Sequence, residues 1–133
     1  SLAKVLMRYR WVPKLHFFNG YHQHPMYIEA LSASITQAVS SHGQPDIVLF
    51  SYHGTPLSYL KQGDPYHCFC HQTTRLVLEQ LGWSATHAKT CFQSRFGRNE
   101  WLQPYPRPPM GWVEFKLPTY WKIYKRELLI FFS

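Results

Sequence analysis

Two histidine-bearing segments have residue types and spacing that can do chemistry. In Ser51-Tyr52-His53-Gly54-Thr55-Pro56, a histidine is followed directly by glycine. An imidazole side chain titrates near neutrality, so it can accept a proton or ligate a divalent metal in its neutral form. Glycine lets the backbone turn and a flat ligand come close. A loop histidine can also do no more than hydrogen-bond across a crevice. The second segment, His67-Cys68-Phe69-Cys70-His71, sets two imidazoles one helical turn apart. Its C-x-C spacing is not the C-x-x-C of zinc sites, and it falls one residue short of C-x-x-C-H haem attachment. Ordinary packing and solvent-face residues are expected there, with no bound metal. His22-x-His24 reads as a surface or capping pair. Arg95 and Arg98, beside Phe96 and Trp101, put cations next to flat apolar surface. That arrangement fits nucleic acid, whose phosphates attract arginine and whose bases stack on aromatics. It fits a large flat macrocycle with carboxylates, and equally a solvated arginine pair beside a half-buried tryptophan.

Such residues act only if regular elements position them, and residues 26–94 read as regular α/β. Pro25 suits the first turn of a helix, where its missing N–H costs little. Ile28, Leu31, Ile35 and Val39 then recur at helical spacing until Gly43. Ile47-Val48-Leu49-Phe50 is apolar on both faces, as a central parallel strand requires. Asp64-Pro65 is an N-cap followed by proline, opening a helix through Phe69, Leu76, Val77 and Leu81 that Gly82 closes. Lys89 to Gln93 reads as a second strand. The result is a βαβ unit with a preceding crossover helix. Thirteen residues, Ser51 to Gly63, join the first strand to its helix, where about 2–6 is usual. Ligands of open parallel sheets bind outside the carboxyl ends of the strands. His53 and the segment Ser94-Arg95-Phe96-Gly97-Arg98 are both expected there.

Composition bounds the rest. The chain has 133 residues, 45% of them hydrophobic and 17% aromatic, which predicts one folded domain or a piece of one. Fourteen Lys and Arg against seven Asp and Glu leave a net charge of +7, which permits anionic partners without choosing among them. Three cysteines at irregular spacing are no disulfide framework and point to a reducing compartment, the cytoplasm. No apolar run reaches the roughly 18 residues of a membrane span. The chain opens on Ser1 rather than Met, as a piece of something longer would.

Several stretches, taken together, closely resemble the ferrochelatase family. They are Leu49 to Pro56, Gly63-Asp64-Pro65-Tyr66, Phe92-Gln93-Ser94-Arg95-Phe96-Gly97 and Trp101-Leu102-Gln103-Pro104-Tyr105, in the order and spacing of bacterial members. Tyr21, His24-Pro25, Tyr27-Ile28 and Ala30-Leu31 resemble the segment that precedes them. The resemblance covers residues 1–105 and implies a chelatase-like (Rossmann-like) α/β fold, here truncated: a parallel sheet with flanking helices. In the family two such halves enclose a porphyrin. The implied activity is insertion of ferrous iron into protoporphyrin IX in haem biosynthesis, with no organic cofactor and Fe2+ as substrate metal. The histidine of S-x-H-G-x-P, here His53, would be catalytic residue and iron ligand. Ser94 and Trp101 match the serine and tryptophan that line the porphyrin side, and Ser51, Tyr52 and Arg95 are expected as further substrate contacts.

Two departures limit the match. Most of the family's first half has no counterpart here, and no acidic residue falls in a motif like the family's catalytic glutamate. After Tyr105 the run Pro106-Arg107-Pro108-Pro109-Met110-Gly111-Trp112 matches nothing in the family. Residues 106–133 read as an unmatched tail, frameshifted or disordered, that does not join the core. The expectation is therefore a ferrochelatase fragment, inactive alone, with protoporphyrin IX and ferrous iron as its ligands, no nucleic acid, and a peripheral membrane contact. A cobalt or nickel chelatase of similar fold is the rival within the chemistry. A basic binding module for nucleic acid or anionic membrane is the rival outside it.

Overall fold

The structure is a computed structural model that describes residues 2–94, 96–104, 121–124 and 127–132. A short helix α1 (Leu2–Leu6) precedes α2 (Pro25–His42), β1 (Ile47–His53), α3 (Leu57–Lys61), α4 (Tyr66–Leu81), β2 (Ala88–Gln93), β3 (Trp121–Tyr124) and β4 (Glu127–Phe132). The sheet order is β2-β1-β4-β3. β1 pairs in parallel with β2, from Val48 opposite Ala88 to His53 opposite Gln93. It also pairs in parallel with β4, while β3 lies antiparallel to β4.

Sequence explains most of the boundaries. Pro25 stands at the start of α2 and Gly43, at φ 89°, ends it. The start of α4 falls one residue later than expected, with Pro65 at the N-cap. Asp64 Oδ1 still accepts from the Tyr66 N–H at 2.9 Å, and Gly82 closes the helix at φ 67°, a conformation that costs glycine little. Side chains alternate across β1. Val48, Phe50 and Tyr52 face the helices and form the core with Ile28 and Ile35 of α2, Cys70, Val77 and Leu78 of α4, Phe92 and Leu102. Phe50 and Phe92 are fully buried at its centre.

A hydroxyl relay runs through that core. Tyr52 Oη meets Thr74 Oγ1 at 2.9 Å, Thr90 Oγ1 donates to Thr74 Oγ1 at 3.0 Å, and Thr74 Oγ1 donates to the Cys70 carbonyl at 3.2 Å. Thr74 has one proton, so Tyr52 is the donor of its pair. Burial pushes the Tyr52 phenol well above its ordinary value and keeps it a donor.

Two expectations need correcting. The first strand extends three residues further than expected, so Ser51, Tyr52 and His53 belong to β1, and α3 occupies much of the supposed loop. The thirteen-residue connection shrinks to Gly54–Pro56 before α3. The segment after residue 105 was expected to stay out of the core, yet Glu127–Phe132 pairs beside β1 from Ile47↔Glu127 to Tyr52↔Phe132. The free edge of β1 has backbone groups to satisfy, and an uninterrupted apolar run supplies them.

The cysteines give a direct check on the packing. Cys68 is exposed, whereas Cys70 and Cys91 are buried, and burial pushes the Cys70 thiol up to about 11. Iodoacetamide at pH 8 should therefore alkylate Cys68 and spare the other two until denaturant is added, as peptide mass spectrometry would report. A raised thiol pKa favours the folded state below the unfolded value. This contribution should be intact below pH 9.0 and disappear as pH rises towards about 11. Alkylation of Cys70 in step with Cys68 would contradict the packing of α4.

Candidate functional site

The site is built at the carboxyl end of β1. His53 is the last residue of that strand, exposed, and Gln93 ends β2 beside it. The peptide that follows His53 is bound on both polar atoms. Its N–H, that of Gly54, donates to the Gln93 carbonyl at 2.7 Å. Its carbonyl accepts from Tyr66 Oη at 2.8 Å. A Cβ on Gly54 would lie 2.6 Å from the Gln93 carbonyl oxygen and 3.5 Å from Trp101 Cε3. Glycine is thus demanded by a close approach within the chain, rather than by a turn.

The next residues are laced to the segment after β2. Leu57 N–H donates to the Glu100 carbonyl at 2.8 Å, and Leu102 N–H to the Thr55 carbonyl at 3.1 Å. Pro56 and Trp101 form an antiparallel bridge between these bonds. Trp101 is tied further by Nε1 donating to the Phe96 carbonyl at 2.8 Å, and the two rings meet edge to face with centroids 6.2 Å apart. Ser94, directly after β2, has φ 68°. A non-glycine residue there is strained, and such strain clusters at working sites.

His53, Ser94 and Trp101 therefore converge at one end of the sheet. Ser51 shares the sheet face of His53 by alternation but is fully buried. Tyr52 points to the opposite face, where Thr74 holds its hydroxyl. Arg95 lies outside the described residues. Behind β1, on the helix side, a cavity of about 290 Å³ is lined by Tyr21, His22, Tyr27, Tyr52, Tyr66 and Phe69 among others.

His67 stacks on Phe92 with centroids 5.3 Å apart, and His71 lies tilted against His67, the two imidazole centroids 4.6 Å apart at 54°. Burial and the neighbouring His67 push the His71 imidazole below its ordinary value. Among the described residues no group of three or more metal-ligating side chains occurs. Two acidic residues are already engaged, Asp64 with the Tyr66 N–H and Glu79 with Arg75 at 2.7 Å. Sequence reading missed one member of the site, Tyr66, which it placed only as a motif residue after a helix cap. Contact with His53 thirteen positions away depends on the path of α3, which no local pattern announces.

The chain is similar in sequence to known proteins. The family model described as Ferrochelatase matches residues 1–108. A ferrochelatase of Idiomarina loihiensis is 52% identical over 105 residues, covering 79% of this chain and 29% of the relative. One from Pseudoalteromonas atlantica is 50% identical over 105 residues, with the same coverage of each. Ferrochelatase 2 of Shewanella oneidensis is 51% identical over 111 residues, covering 84% of this chain and 34% of the relative. The chain thus spans about three-tenths of the length of the curated relatives it matches.

Proposed function

This chain belongs to the ferrochelatase family, and from that premise we propose that it carries the histidine wall of a site inserting ferrous iron into protoporphyrin IX. The observation that supports this best is the convergence of His53, Ser94 and Trp101 at the carboxyl ends of β1 and β2, laced together by the Gly54 and Trp101 contacts. In this reading His53 is the base or iron ligand. Ser94 and Trp101 hold the porphyrin from the same side, Arg95 is a further substrate contact, Ser51 supports the face below, and Tyr52 backs the site from the core.

Metallation must remove two pyrrole N–H protons and bend a flat ring so that the metal can approach it. An exposed imidazole at the end of a fixed strand can take a proton or offer a lone pair to the metal. A wall that does not yield can hold the ring out of plane, strain that belongs to the ground state. The iron is substrate, and no organic cofactor is called for. The chain supplies one half of the catalytic pair, and its partner carboxylate belongs to the remainder of the relatives' length. The boundary of the ferrochelatase-like part is set at residue 105, and sequencing the gene around that codon tests whether a one-base shift restores the family's continuation.

The three free thiols support a cytoplasmic location. Among the described residues no helix is long and apolar enough to cross a membrane. A peripheral contact with anionic lipid is part of the proposal, supported by Trp11 and Phe18, 86% and 95% exposed, in a segment that also holds Arg8 and Arg10.

Titrating the purified chain into protoporphyrin IX should shift the Soret band, with saturation, and the shift should weaken in Trp101→Ala. A DNA-binding assay run alongside should show only weak association that collapses with salt. An unchanged Soret band beside tight DNA binding would overturn the proposal in favour of a nucleic-acid module.

A further inference from the structure

We propose that Tyr66 is a positioning residue for His53, acting through the hydroxyl that it donates to the His53 carbonyl at 2.8 Å. The inference rests on the reading of His53 given above and adds to it what holds that side chain in place.

A strand's last residue is ordinarily the one that frays, because its outer peptide has lost the neighbouring ladder. Here that peptide is held on both sides. Gly54 N–H reaches the Gln93 carbonyl at 2.7 Å on β2, and the His53 carbonyl takes the Tyr66 hydroxyl on the helix side. With both polar atoms fixed, the peptide plane cannot rotate, and ψ of His53 is set. The direction of the His53 Cα–Cβ bond follows from it. That direction decides whether an imidazole meets its target, and small misplacements are costly in catalysis.

Tyr66 is itself well placed to serve as the anchor. It is the first residue of α4, and its own N–H is bound by Asp64 Oδ1 at 2.9 Å. The turn that delivers it is fixed by Asp64 N–H donating to the Tyr59 carbonyl at 3.0 Å, and α4 starts with Phe69 N–H on the Pro65 carbonyl at 3.0 Å. The segment from His53 through α3 is therefore a closed loop fastened at its mouth by one phenol. The Tyr66 ring also lines the helix-side cavity with Tyr27 and Cys70. Packing alone would need the ring and not the hydroxyl. Burial and the adjacent Cys70 keep that phenol far above its ordinary value, so it remains a donor across the neutral range.

Tyr66→Phe separates the two roles, since it keeps the ring and removes only the oxygen. In the full chain, labelling histidine carbonyl carbon and glycine nitrogen gives two correlated signals, from His42–Gly43 and His53–Gly54. His53→Ala identifies the second by its loss. Tyr66→Phe should move the His53–Gly54 signal and speed exchange of the Gly54 amide, while His42–Gly43 and the melting temperature stay put. An unmoved His53–Gly54 signal would overturn the proposal. The functional arm uses a full-length relative in which residues 25–104 of this chain replace the matching segment. There Tyr66→Phe should lower kcat for iron insertion by at least about tenfold with KM for protoporphyrin IX unchanged. Full kcat in Tyr66→Phe, with His53→Ala inactive, would remove the positioning role and leave His53 in place. Full kcat in His53→Ala would instead sink the reading of His53 itself, and with it the positioning role.

Discussion

Replacing His53 by alanine should lower iron insertion at least about a hundredfold in a full-length relative carrying residues 25–104 of this chain, with no loss of fold. A positioned proton acceptor typically contributes about 10²- to 10⁴-fold, and a residue that also ligates the incoming metal contributes twice over. The fold should be indifferent, because His53 is exposed at the end of β1 and takes no part in the core. Surface changes of this kind usually stay within about 0.5 kcal/mol. Turnover and thermal melting measured on the same preparation check both halves. Wild-type turnover would remove His53 from the chemistry. Inactivity with a collapsed melting temperature would instead make it a structural residue.

Gly54→Ala should be the most damaging single methyl in the site. The added Cβ would sit 2.6 Å from the Gln93 carbonyl oxygen, closer than non-bonded atoms can rest, and the obstacle is backbone rather than a side-chain tip. Relief requires the β1 and β2 ends to part. That breaks the Gly54–Gln93 bond and loosens the lacing at Pro56 and Trp101. Overpacking of this sort costs about 1–3 kcal/mol, and it also swings His53 away from Ser94. Turnover should fall at least tenfold, roughly, as expected for a misplaced catalytic group, together with a lowered melting temperature. A Gly54→Ala variant with unchanged stability and rate would show that the two strand ends are not as tightly apposed as drawn.

Helices α2 and α4 and strands β1 and β2 were legible because their signals are local. Apolar spacing, Pro25, Gly43 and Gly82 mark where α2 and α4 begin and end, and Ile47 to Phe50 can be little but a buried strand. The end of β1 was read short because Ser51 and Tyr52 look like turn and loop residues. They are strand residues since the ladders to Cys91 and Phe92 continue past the apolar run, and Tyr52 hides its hydroxyl on Thr74. This tertiary hydrogen bond is invisible in a window of neighbours. The same reason hid Tyr66. The place of His53 at the carboxyl end of β1 was legible from the apolar run before it. The close contact that requires glycine beside it was not, because it depends on where Gln93 lies in the parallel register. The pairing of Glu127–Phe132 with β1 escaped notice because sequence shows an apolar run but not the edge it will meet.

The central claim is that residues 25–104 are the histidine wall of a porphyrin-metallating site, and grafting tests it most directly. The relative from Idiomarina loihiensis, with its matching segment replaced by residues 25–104 of this chain, should insert ferrous iron into protoporphyrin IX at a rate within about tenfold of the unaltered relative. Retention of fold and porphyrin binding, with no iron insertion from the graft, would contradict the account.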